Sequence, residues 1–381
     1  MKLRLLFLLF LPVLAFAEAM YSPTWGFSVD LPEGYDYIDG NAKDHFSFSG
    51  PGGVQFDMLV YDKTHASMEE LVADVNRRLG NKGSADFFVY RDRKAAIIEL
   101  IFGDKAGWGI CLELKGNAPG VPPPMLVALS YCEAGKNDLD LFHMSSLDSI
   151  IPIEGEMYYP GPIIEYGFPR GEAKRMPLAL NGLSAMIREN DAEASQVLIE
   201  RETVILMQYL NSDYWKQAWT RCYQFIYRDS FDRIADAASV LAKHWAETAV
   251  NRSGDTVNRG DAQREFAKKA LSWVQGFKYD RDSGDSDFTN LVSAVIRGRG
   301  DSDSRVMLWA IILAHADIRS AMMVSRKYNH AMGLADIGGN GARFELDGTQ
   351  WLVAETVDSV DIGLIAADMS DVESWLGILF N

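Results

Sequence analysis

The stretch Gly298–Ala316 reads GRGDSDSRVMLWAIILAHA. Two glycines lead into Asp301-Ser302-Asp303-Ser304, and an apolar run from Val306 to Ala314 follows. Small and acidic residues ahead of such a run predict a helix N-terminus, where carboxylates and hydroxyls satisfy free backbone N–H groups. The run is apolar on every side, which predicts a helix inside a domain rather than on its surface. A side chain at such an N-terminus sits in a positive field beside N–H donors, a setting that suits a nucleophile or an oxyanion.

Two later segments extend the pattern. VSRKYNHAM (Val324–Met332) sets His330 after a strand-like run, and WLVAETVDSVDIG (Trp351–Gly363) sets Glu355 at the end of another. In order the chain presents G-D-S-D-S-R, then N-H-A, then W-x-x-x-E-T followed by I-G. This order resembles the transglutaminase-like superfamily of papain-like cysteine enzymes in its bacterial exported form, over roughly residues 262–381, with a weaker echo in Phe277-Lys278-Tyr279. The resemblance implies a papain-like core, a nucleophile at position 302, His330 as base and Glu355 as the acid that orients the imidazole. The backbone N–H of Ser302, joined by Tyr279, would form the oxyanion hole. No cofactor and no metal are implied, and the six histidines show no zinc-ligand spacing.

One letter departs from the family: Ser302 stands where the nucleophilic Cys is expected. A serine hydroxyl is not ionised near neutral pH and needs a base placed to take its proton. Ser302 therefore has three readings. The leading one is a pseudoenzyme that keeps the cleft to bind peptide or protein, cell-wall peptide included. The alternative is an active amide-bond hydrolase or acyl transferase with a Ser302–His330–Glu355 triad. The third is an engineered Cys→Ser replacement. A cysteine restored at 302 would be expected to carry a depressed pKa if only the sulfur had been exchanged.

Lys2 and Arg4, the apolar Leu5–Leu14 and Ala15-Phe16-Ala17 form the three regions of a signal peptide, residues 1–17. Export to the periplasm or the medium is therefore expected, with no membrane insertion after cleavage. The formal charge of −16 becomes −18 once Lys2 and Arg4 are removed. A surface this acidic excludes nucleic acid and anionic lipid as natural partners.

With 381 residues, 48% of them hydrophobic, the chain can build several cores. The expected architecture is α+β and multidomain. An N-terminal α/β sandwich with an antiparallel sheet spans 20–152 and should fold alone. A linker (153–171), a helical middle segment (172–261) and the transglutaminase-like core (262–381) follow. In the first unit Phe56, Met58 and Val60 alternate as in a half-buried strand, and Ser67 with Glu70 opens a helix that Gly80 ends. Its element order and the phrase Gly26-Phe27-Ser28-Val29-Asp30-Leu31-Pro32 resemble PsbP/Mog1-type domains. Farther on, Asp229-Ser230 is expected to cap a helix with a seam of Phe231, Ile234, Ala238, Leu241 and Trp245. Cys111 and Cys132 lie on two expected neighbouring strands and could pair in an oxidising compartment, whereas Cys222 is expected to be a buried structural thiol. The acidic loop Asp280, Asp282, Asp285 and Asp287 misses the EF-hand spacing and is read as solvated. Asn251-Arg252-Ser253 is a glycosylation sequon.

Overall fold

The computed structural model describes residues 19–116, 121–155, 157–250, 259–280 and 286–380. The expected signal peptide, the sequon and the acidic positions 282 and 285 lie outside the described residues. The chain is α+β, with antiparallel sheets and, among the described residues, nine α-helices.

The first unit is built on seven antiparallel strands. In chain order they are β1 (Asp36–Gly40), β2 (His45–Ser49), β3 (Gln55–Tyr61), β4 (Ala85–Tyr90), β5 (Arg93–Phe102), β6 (Lys105–Glu113) and β7 (Met125–Glu133). Their spatial order is β1-β2-β3-β7-β6-β5-β4. The central strands are apolar on both faces because a helix covers each. Ala96, Ile98, Leu100, Val127 and Leu129 pack on α1 (Met68–Leu79) through Leu71, Val72 and Val75. Ile97, Ile110, Leu112 and Leu126 share a cluster with Leu147 of α2 (Asp140–Asp148). Helix α1 is capped as its sequence predicts: Ser67 accepts the Glu70 N–H, and Gly80 closes it with a left-handed φ of 62°.

Strands β6 and β7 also decide the cysteine question. Cys111 lies opposite Val127, and Cys132 opposite Ala106. Positions 127 and 132 differ by an odd number, so the two thiols point to opposite faces of the sheet. Cys111 joins the α1 side and Cys132 the cluster with Phe142 on the α2 side; all three cysteines are free and buried.

The 153–171 stretch, expected to be a linker, carries a short helix α3 (Pro162–Gly167) with Pro162, Ile163, Ile164 and Glu165 buried. The middle segment opens on a hairpin, β8 (Ala173–Pro177) and β9 (Ser184–Arg188), rather than on a helix. Its turn contains Asn181-Gly182, with Gly182 at φ 83°. Four helices follow: α4 (Asp191–Tyr209), α5 (Trp215–Arg233), α6 (Ala235–Val250) and α7 (Arg259–Gln275). Asp229-Ser230 does not start a helix but lies inside α5. Arg233, one turn on, binds both Asp229 carboxylate oxygens at 2.8 Å and so neutralises a residue that would otherwise favour a cap.

The first unit is joined to the helices by a buried ionic chain. Arg201 binds Asp148 at 2.6 Å and Glu202 at 2.8 Å, and Arg221 binds Glu202 at 2.9 Å. Arg228 donates to the carbonyls of Ser149 and Tyr159. The α2 end of the first unit is therefore tied to α4 and α5 through ion pairs.

The last part sets α8 (Leu291–Arg297) and α9 (Ser302–Ala314) against a second antiparallel sheet. Its strands are β10 (Ser320–Ser325), β11 (His330–Ala335), β12 (Arg343–Leu346), β13 (Thr349–Ala354) and β14 (Leu376–Leu379), ordered β12-β13-β11-β10-β14. Every residue of α9 from Val306 to Leu313 is buried, as an all-round apolar helix demands. Its Trp309 packs against Gly333 of β11, where a Cβ would meet the indole at 2.6 Å. The opposite sheet face is covered by Met323, Met332, Trp351 and Trp375.

Candidate active site

Three segments distant in sequence converge at the N-terminus of α9, and Arg305 holds them there. This guanidinium is buried and donates to the carbonyls of Gly300 (3.0 Å), Phe277 (2.9 Å) and Thr356 (3.3 Å). It thereby ties the entry to α9, the Tyr279 segment and the residue after Glu355 to a single side chain. Tyr279 lies in a short parallel bridge opposite Gly300, beside the start of the helix, with the Arg305 guanidinium 5.6 Å from its ring.

Asp301 caps the helix. One carboxylate oxygen accepts the Ser304 N–H and the other the Thr289 N–H, each at 2.8 Å, which anchors the loop before α8 to the site. Strands β11 and β13 are hydrogen-bonded neighbours, so His330 at the start of one meets Glu355 just past the end of the other. The imidazole Nε2 lies 2.8 Å from Glu355 Oε2. Burial pushes the Glu355 carboxyl up. The His330 hydrogen bond and charge, with the N–H groups of Val357 and Asp358, outweigh burial and hold it below its ordinary value. An ionised Glu355 only accepts, so Nε2 carries the proton and Nδ1 is the nitrogen left to act.

Ser302 is 3% exposed, and its hydroxyl donates not to the imidazole but to Asp303 Oδ2, at a long 3.4 Å. The other Asp303 oxygen accepts the Tyr223 hydroxyl at 2.7 Å. Burial raises the Asp303 carboxyl above its ordinary range, although Tyr223, the nearby His330 charge and Ser302 all pull it down. Asp303 and Asp301 repel one another, and burial with that repulsion also raises Asp301. The cleft over these groups has a volume of about 350 Å³. Asp303 and His330 line it, together with Trp219 and Tyr223 from α5 and with Phe288; Ser302 is not among its wall residues.

The structure thus brings His330 and Glu355 into contact and places Tyr279 opposite Gly300, two residues before Ser302, while Ser302 turns to Asp303. Cys222 reaches the cleft wall, but burial pushes its thiol far up, so it is a poor thiolate. Sequence reasoning assigned no role to Asp303, Tyr223 or Arg305. Asp303 and Arg305 stand inside the quoted motif, where an acid beside Ser302 and a cation just before the apolar run are legible signals. Tyr223 lies 80 positions from Asp303 on a helix read as packing, and no local pattern marks it.

No protein-family model matches this sequence, and no curated protein matches it. Among solved structures, one described as a "putative protease" from Parabacteroides distasonis is similar at 11% identity and a TM-score of 0.21. The match covers 82% of this chain and 69% of that one, and at this level the likeness carries no argument.

Proposed function

We propose that the protein is an exported binding protein whose C-terminal part is a degenerate transglutaminase-like domain with a papain-like core. It holds peptide, cell-wall peptide included, in the cleft between α5 and α9. The observation that carries this reading is the hydroxyl of Ser302: it donates to Asp303 and lies off the cleft wall, while His330 is engaged by Glu355. A nucleophile needs its proton acceptor aligned with the attacking oxygen, and here the hydroxyl faces an adjacent carboxylate. What the cleft offers instead is an aromatic and aliphatic wall with a few convergent polar groups, the usual make-up of a recognition site.

The His330–Glu355 pair favours a second reading, an amide-bond hydrolase or acyl transferase using Ser302, because a purely binding cleft does not require an oriented imidazole. An activated acyl probe separates the two. Under the binding reading, a fluorophosphonate labels wild type no faster than Ser302→Ala, while short peptides bind saturably and Trp219→Ala weakens them. Labelling confined to Ser302 and lost in Ser302→Ala would establish the hydrolase instead.

A further inference from the structure

Helix α5 bears a cavity on each side. Trp219, Cys222, Tyr223 and Ile226 face the Ser302 cleft. One stripe around, Gln217, Thr220, Arg221 and Gln224 line a second cavity of about 520 Å³, whose far wall is Asp30 and Glu33 of the first unit. Residues three and four apart share a helix face, so the two stripes open in different directions.

Glu33 sets the chemistry of this second cavity. It is 3% exposed, yet among the described residues its carboxylate makes no ion pair and takes no hydrogen bond beyond its own backbone N–H. The loop that carries it is fixed, because the Tyr209 hydroxyl donates to the Glu33 carbonyl at 2.9 Å. The Arg221 charge acts on Glu33, but its donors are engaged elsewhere. Nε reaches the Asp30 carbonyl (2.9 Å), Nη1 reaches Glu202 (2.9 Å) and Nη2 reaches Ser145 (3.0 Å). Its approach to the Asp30 carboxylate is a loose 3.9 Å. Asp213 adds a third acid to the wall, and Lys216 lies 5.5 Å from the Trp215 ring. A buried carboxylate that no cation pairs directly is costly, and it either takes a proton or is served by a cation from outside.

We propose that this cavity binds an organic cation, a primary amine or guanidinium, with Glu33 as its counter-ion and Asp30 as a second acceptor. A chelated metal ion does not fit, since the described residues hold no group of three or more His, Cys, Asp or Glu side chains arranged for one. An elongated cation does: its N–H donors reach the carboxylates while its carbon stem lies along Trp215 and Thr220. Burial pushes the Glu33 carboxyl up to about 7, so near neutrality the proton and the cation compete for the same oxygens.

The test uses the full chain and agmatine, which carries one amine and one guanidinium, in isothermal titration calorimetry. Saturable one-to-one binding is expected, weakened about tenfold or more in Glu33→Gln. A second readout needs no variant. Below about pH 7 Glu33 must release a proton when the cation arrives, so the measured heat should vary with the ionisation heat of the buffer. Three results overturn the proposal: no saturable binding, binding indifferent to both Glu33→Gln and buffer, or binding lost in Asp303→Asn but kept in Glu33→Gln. The last would place the amine in the Ser302 cleft.

Discussion

Replacing Ser302 by Cys tests what surrounds that position. From the helix N-terminus and the imidazole alone, the new thiol should be acidic, well below its ordinary value of about 8.5. Asp303 opposes both. Its Oδ2 lies 3.4 Å from the Ser302 oxygen, the atom that sulfur would replace. Two like charges at that distance repel by about 5 kcal/mol at an effective dielectric of about 20, equivalent to between three and four pKa units. Asp303 is half-buried and open to the cleft, so water screens much of this and leaves about one to two units. The helix N-terminus opposes with about 0.3–1 kcal/mol, less than one unit. The Ser302→Cys thiol should therefore titrate above the value that the helix N-terminus and imidazole alone would set, and adding Asp303→Asn should lower it by at least about one unit. Iodoacetamide alkylation followed from about pH 5 to pH 10, with Cys222 as the slow internal reference, reads both values. A thiol that reacts rapidly below neutrality and ignores Asp303→Asn would refute the reasoning. The site would then still be arranged for a thiolate, with Ser302 as its sole departure.

Three further outcomes follow from the packing. Gly333→Ala should lower stability by about 1–3 kcal/mol, because the added methyl meets the Trp309 ring at 2.6 Å in a close-packed layer; urea unfolding reads the loss. Arg201→Met should cost about 3–5 kcal/mol by leaving Asp148 and Glu202 without their shared cation inside the interface with α2, and the same unfolding experiment checks it. Glu33 should make stability depend on pH. Its folded value near 7 lies above the ordinary 4.5, so the folded state holds the proton longer and stability falls as pH rises between the two. The loss approaches about 3 kcal/mol. Glu33→Gln should remove that slope, and equal melting-temperature profiles for the two proteins from about pH 5 to pH 8 would contradict it.

What could be read from sequence was what repeats or stays local. The all-round apolar run fixed α9 as an interior helix, and the alternation of Phe56, Met58 and Val60 marked β3. Ser67 and Gly80 bounded α1, and the ordered motifs brought His330 to Glu355. What escaped depends on tertiary context. Asp229-Ser230 has the letters of a cap, but Arg233 neutralises the acid within one turn, and α5 runs through. Asn181-Gly182 is a local hairpin signal, yet it stands inside a segment whose composition favours helices. Cys111 and Cys132 lie on neighbouring strands as expected, yet strand register decides which face each thiol takes, and register is not written in either strand alone. The contact of Tyr223 with Asp303 needs α5 to lie against α9, which no pattern within either helix specifies.

That contact joins the cleft to a helix outside residues 262–381. A boundary at residue 262 encloses Ser302, His330 and Glu355 but leaves out α5, which supplies Trp219 and Tyr223 to the cleft wall. The Tyr223 hydroxyl holds one Asp303 oxygen while Ser302 donates to the other, so the surroundings of Ser302 are set in part by a helix outside the motif-bearing segment. The same helix sends Arg221 to Glu202 and Ser145, and Arg228 to the carbonyls that follow α2. A displacement of α5 would therefore be felt at the first unit and at Asp303 together, because side chains on one rigid helix move as a body. The sandwich does not merely accompany the cleft. Through the Asp148–Arg201–Glu202–Arg221 chain it braces the wall that holds Asp303 against Ser302.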